Sequence, residues 1–187
     1  MVTTATLFGQ ASATRQDADS LERKLTTLLE RGAKAAPGPR AFRTPIAERE
    51  VNAYFRHQGA EQLPVGVVKP TISIHDRTRV SGTATVDLDA VRKSQERTWT
   101  DPLAYVSGTL DVYVSGHLHT ANGQGTFTLD TATLGGVAIP KTLLQELVNY
   151  YTRTPESPAG FNLDQPFTLP QRIRQVELQR GTAVIVQ

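Results

Sequence analysis

The chain has 187 residues and a formal charge of +2 from 20 basic and 18 acidic side chains, enough length for one domain with a substantial core and no charge excess that calls for a nucleic-acid partner. It contains no cysteine, which excludes a disulfide framework and thiolate chemistry and leaves the compartment open. No apolar run reaches the roughly 18–20 residues that span a bilayer as a helix. The opening "MVTTATLFGQASATRQ" has neither the basic start nor the continuous apolar middle of a signal peptide. A single domain over 1–187 is predicted, with a disordered 1–16, a helix and linker over 17–43, and a sheet-plus-helix body over 44–187.

"DADSLERKLTTLLERG" places Leu21, Leu25, Leu28 and Leu29 on one stripe of an amphipathic helix, with Asp19 and Glu22 at capping-box spacing and Gly32 as its stop. "AKAAPGPRAFR" has two prolines and no periodicity, so it reads as a connector. "TPIAEREVNAYFRHQ" predicts a second, short helix with Thr44 as N-cap, Pro45 in its first turn, and Val51, Tyr54 and Phe55 on its buried side.

From Val65 the pattern changes to period two, the mark of strands with one dry and one wet face. "GVVKPTISIHD" is the first strand, and "RVSGTATVDLDAV" the second, with Val80, Gly82, Ala84, Val86 and Leu88 on one face. "RKSQERTWTDP" is a charged loop carrying Trp99. "AYVSGTLDVYVSGHLH" is a long third strand whose even face holds Val106, Gly108, Leu110, Val112, Val114, Gly116 and Leu118 and is expected to be the buried one. "ANGQG" is a turn. In "GTFTLDTATL", Phe127 and Leu129 lie out of phase with Ala132 and Leu134, which predicts a bulge near Asp130 or Thr131. "IPKTLLQELVNYYTR" is a third helix with Pro140 in its first turn and Leu143, Leu144, Leu147, Val148 and Tyr151 at helical spacing. A proline-rich excursion follows, and a closing hairpin turns around Arg180 and Gly181. The expected fold is α+β, a long curved antiparallel β-meander packed against two or three helices, with helices one and three on its dry face.

Gly82, Gly108, Gly116 and Gly125 fall on the apolar side of their strands and leave grooves there. Two fillers are compatible with them: the protein's own leucine-striped helices, or an apolar ligand held between a curved sheet and a helix.

No chemical signature is as clear. His117 and His119 share one strand face, with His75 on a neighbouring strand, but no third ligand or supporting carboxylate can be placed, so solvated histidines are expected and no metal site is predicted. The serines of "VSGTA" and "VSGHL" lie within alternating strands and do not fit a nucleophile elbow. Asp87 and Asp89 read as solubilising acids. Arg77, Arg79, Arg172 and Arg174 read as a wet or protected sheet surface, the alternative being attraction to anionic head groups of a membrane. No phosphate-cradling glycine loop follows a strand, and neither a cofactor nor a catalytic residue is predicted.

"EREVNAYF", "RVSGTATVDLD", "LGGVAIPKTLLQELV" and "FTLPQRIRQVELQRGTAVI" together resemble small exported bacterial proteins related to the tubular lipid-binding (TULIP-like) group, over most of 44–187. The resemblance implies a strongly curved antiparallel sheet wrapped around a helix, a periplasmic or otherwise exported location, and binding or carriage of lipid near the cell envelope. It leaves helix one unexplained, and the cytoplasm is the alternative location. The expectation is a non-enzymatic binder of lipid or another long apolar molecule, with Val86, Leu110, Val112, Val114, Phe127, Leu144, Leu147 and Tyr151 as apolar wall. The alternative is a structural or adaptor module with a self-filled core that binds a protein partner through an edge strand or the Pro-rich loop.

Overall fold

The structure is a computed structural model that describes residues 14–34, 41–94, 107–153 and 158–187. Most of the start expected to be disordered, the Trp99 loop and the first residues of the long strand, including Tyr105 and Val106, lie outside the described residues.

The first helix, α1 (Arg15–Ala33), starts earlier than its leucines suggest, because a different pair caps it. The Thr14 hydroxyl accepts from the Asp17 N–H at 3.2 Å, and the Asp17 carboxylate accepts from the Thr14 N–H at 3.1 Å. The Thr14 N–H and hydroxyl, both within hydrogen-bond reach of that carboxylate, hold it below its ordinary value. Asp19 and Glu22 therefore sit inside the helix, and Gly32 is part of its last turn rather than its stop.

Thr44 and Pro45 do not open a helix. Arg43–Ala47 is a strand, β1, that pairs antiparallel with the C-terminal strand, Pro45 opposite Val184 and Ile46 opposite Ala183. Proline is tolerated because β1 is an edge, where a missing N–H need not break a ladder. The second helix, α2 (Glu48–His57), starts at Glu48, with the Ala47 N–H donating to the Glu50 carboxylate at 2.8 Å. The same carboxylate accepts from Lys24 Nζ at 2.7 Å and from the Ser20 hydroxyl at 2.6 Å, joining α1 to α2. Burial pushes the Glu50 carboxyl up, but the bonds from Lys24, Ser20 and Ala47 outweigh it and hold the group below its ordinary value.

The meander follows as β2 (Val67–Ile74), β3 (Arg79–Asp87), β4 (Thr109–Ala121) and β5 (Gln124–Leu134), with short β6 (Val137–Ala138) and β7 (Phe167–Thr168) both on β5. Another segment departs from its expected form: Leu88–Ser94 leaves the strand and forms a short helix, α3. Asp87 caps it, accepting from the Asp89 and Ala90 N–H groups at 3.0 and 2.9 Å, while Asp89 accepts from the Gly108 N–H at 3.1 Å. The two acids thus serve the backbone. The remaining helix, α4 (Lys141–Tyr151), is the expected third helix, preceded by Pro140.

β4 and β5 are joined by a turn in which Asn122 and Gly123 both have positive φ, 52° and 78°, the primed geometry that suits strand twist. The pairing slips between Ser115–Thr131 and Gly116–Leu129, so Asp130 is bulged out. The slip keeps one face apolar: Phe127 stands opposite Leu118 on one side of the bulge, and Ala132 and Leu134 stand opposite Val114 and Val112 on the other. Along β4 the even residues are the more covered ones, half-buried at Leu110, Val112, Val114 and Leu118, but on the other face Ser115 is buried and His117 half-buried.

β8 (Gln175–Gln179) and β9 (Thr182–Val186) form the closing hairpin and, with β1, a separate three-stranded sheet. This sheet, rather than the dry face of the meander, receives α1: Leu21 and Leu28 form a core with Ile46 and Ile185, against which Leu25, Val51 and Tyr54 pack. Leu29, about 100° round the helix from Leu28, is left 53% exposed. The sheets are joined through Thr120, whose hydroxyl donates to the Val176 carbonyl at 2.9 Å and accepts from its N–H at 2.8 Å.

Candidate functional site

The apolar face of the meander is assembled row by row through the strand register. Val67, Val86 and Leu110 stand opposite one another across β2, β3 and β4. Ala84, Val112, Leu134 and Val137 form the next row, out to β6. α4 lies over these rows with Leu144 and Leu147 turned inward and buried, and α3 closes one end with Leu88 and Val91. Between sheet and helix remains a groove of about 540 Å³. Its walls are Val86, Leu110, Val112, Leu144 and Leu147, together with Pro64, Val65, Val67, Leu88, Val91, Leu134 and Val148, and its one polar lining residue among those described is Thr152. Val65 on the rim is 58% exposed, and Val137, which continues the Val112–Leu134 row, is 68% exposed.

Five of the eight expected wall residues therefore meet in one groove. Val114 lies on the correct face but outside the groove, and the Tyr151 side chain lies outside the described residues. Phe127 has a different role. A Cβ on Gly116 would lie 2.5 Å from the Phe127 ring, and one on Gly125 would lie 2.6 Å from the Phe167 ring. Two of the four dry-face glycines are thus covered by the chain's own phenylalanines, the aromatic covering of strand glycines that stabilises curved sheets. Gly82 has the Thr71 carbonyl 3.4 Å from its Cβ position, an ordinary contact. Gly108 is not a strand residue: its φ is 84°, and its carbonyl accepts the Leu88 N–H at 2.9 Å, so it is the joint between α3 and β4.

Residues missed from sequence are informative. Leu88 and Val91 were hidden by an alternation that runs on past the end of β3; the signal that distinguishes them is Asp87 as a helix cap followed by apolar residues three apart. Leu134 was already in phase with Ala132.

The histidines do not converge. His117 is held between the Thr78 hydroxyl, 2.8 Å from Nδ1, and Asp130, 3.2 Å from Nε2, while His75 bonds Ser81 at 2.9 Å. His119 stacks on His117 with ring centroids 6.4 Å apart. Among the described residues no group of three or more His, Cys, Asp or Glu side chains is gathered to hold a metal. Arg79 lies 3.9 Å from Asp130 at the bulge, and Arg77 has φ 63° at an isolated bridge to Leu178.

Two further cavities lie among the described residues. One of about 550 Å³ lies between the sheets, among Arg77, His119, Gln124 and Glu177; the other, of about 640 Å³, lies beside the end of α4. No helix among the described residues is long and apolar enough to cross a membrane. What the groove binds has to be argued from its own chemistry, because no protein-family model matches the chain and no curated protein matches it.

Proposed function

We propose that this chain is a non-enzymatic binder of a lipid or another long apolar molecule, held between the meander and α4, and that it works at the bacterial cell envelope. The observation that carries this reading is the groove: about 540 Å³, with aliphatic walls and an open, apolar rim at Val65. Its size falls within the roughly 300–1,000 Å³ usual for small-molecule sites. Each methylene of an alkyl chain taken out of water there gains about 0.8 kcal/mol before the costs of association. Covering Val65 and the row that ends at Val137 would remove apolar surface that the chain itself leaves in water. The resemblance to exported TULIP-like proteins points the same way and suggests the compartment.

An adaptor that recruits a partner along the β2 edge of the meander is less well supported, because α2 occupies that edge. The Asn52 amide bonds both the N–H and the carbonyl of Ile72, at 2.7 and 2.9 Å, and Glu48 accepts the Ile74 N–H at 2.6 Å.

The test is native mass spectrometry and solvent extraction of the purified protein, with uptake of a neutral naphthylamine dye measured on wild type and Val112→Trp. A binder retains extractable lipid or takes up the dye, and Val112→Trp loses that uptake while melting near the wild-type temperature, since the ring enters space already empty. No lipid and no uptake, with Val112→Trp destabilised by an overpacking cost of about 1–3 kcal/mol, supports the self-filled adaptor instead.

A further inference from the structure

The groove reaches the end of α4 at Thr152. Thr152, which follows that helix, lines both the groove and the neighbouring chamber of about 640 Å³. The chamber has another character: its lining residues include Asn149, Asn162 and Gln165 together with Phe161 and Phe167, whose ring centroids lie 5.8 Å apart. Asn149 Oδ1 accepts from Gln145 at 2.5 Å and Asn162 Oδ1 accepts the Asp164 N–H at 2.9 Å. Three amide-bearing residues thus line the chamber beside two phenylalanines, and an amide group can both donate and accept. No described residue lining either cavity is charged. Asp164, the one charged residue of the described stretch 158–167, is paired with Lys141 outside the lining.

The helix end adds to this. At the C-terminus of α4 the Val148 carbonyl accepts both the N–H and the hydroxyl of Thr152, at 3.0 and 2.6 Å. The end of a helix where carbonyls point outward carries partial negative charge and disfavours an anion. An ionised carboxylate or phosphodiester placed there would lose hydration with no charged side chain among the described lining residues to replace it, whereas hydroxyl and carbonyl groups can pair with amides.

We propose that groove and chamber form one site for an uncharged amphiphile, with its alkyl chain under α4 and a hydroxyl- or amide-bearing head group among Asn149, Asn162 and Gln165. This rests on the groove binding an alkyl chain at all, and it adds the class of lipid: neutral, of the monoacylglycerol kind, in preference to ionised fatty acids or anionic phospholipids.

The experiment is displacement of the neutral naphthylamine dye by monopalmitoylglycerol, palmitate and palmitoyl-lysophosphatidylglycerol, each below its micelle concentration. At about pH 8, where a free carboxylic acid is ionised, monopalmitoylglycerol is expected to displace the dye at concentrations lower than either anion by about tenfold or more. Gln165→Leu and Asn149→Leu should each narrow that preference, read as the ratio of the displacing concentrations of palmitate and monopalmitoylglycerol on the same variant. Gln165 is exposed, so its variant stays informative if Asn149→Leu fails to fold. Equal or tighter displacement by the anions, or a preference that survives both substitutions, overturns the neutral-lipid assignment and leaves the groove reading standing. Failure of wild type to bind the dye, with no lipid extracted from it, overturns both.

Discussion

Removing the Asn52 side-chain amide tests whether α2 protects the open edge of the meander. Asn52 makes two hydrogen bonds to one residue, donating to the Ile72 carbonyl at 2.9 Å and accepting its N–H at 2.7 Å, so it takes the place of a neighbouring strand. Asn52→Leu keeps the volume and leaves both backbone groups of half-buried Ile72 without a partner. Each stranded group costs about 1–3 kcal/mol, and partial access to water places the sum at about 2–4 kcal/mol. For a chain of this size that is a fall in melting temperature of about 4–16 °C. Urea denaturation and calorimetry read the stability, hydrogen exchange at the Ile72 amide reads the local bond, and light scattering reads edge-to-edge association, which an uncovered β2 should promote. A loss below about 0.5 kcal/mol with unchanged exchange at Ile72 would refute the clamp, since a surface substitution away from such features costs no more.

Three other outcomes follow from the same geometry. Gly108→Ala should destabilise by about 1 kcal/mol although its Cβ position has no atom within 4 Å, because φ of 84° is strained for alanine; thermal unfolding that matches wild type would show that the joint relaxes freely. Phe167→Ala should uncover Gly125 and cost about 3 kcal/mol if the ring is well packed, with Gly125→Ala also destabilising in the wild-type background but much less so when combined with Phe167→Ala; a double-mutant cycle with no coupling would separate the two. The depressed Glu50 and Asp17 carboxyls stabilise the fold fully above the ordinary carboxylate range, and that contribution is lost as pH falls through their lower folded values; Glu50→Gln should flatten the acid limb of the stability profile, and a profile parallel to wild type would count against the α1–α2 link.

The elements whose causes are local were legible in the chain. The alternation of Leu110, Val112 and Val114 set the face of β4, the phase break between Leu129 and Ala132 located the bulge at Asp130, and Asn122–Gly123 and Arg180–Gly181 marked their turns, since period and turn chemistry act between near neighbours. Tertiary structure decided the rest. Thr44–Ala47 carries acceptable helix-start chemistry, and becomes a strand because β9, from the other end of the chain, supplies the ladder. Leu88 continues the alternation of β3, and becomes helical because Asp87 and Gly108 together close a cap there. The leucine stripe of α1 is equally suited to either sheet, and its partner, Ile46 with Ile185, exists only once β1 and β9 have paired. The glycines on the dry face read alike in sequence. Phe127 and Phe167 fill two of them, while the groove opens where α3 and α4 stand back from the Leu110 and Val112 rows, a spacing set by three elements packed together and by no one of them alone.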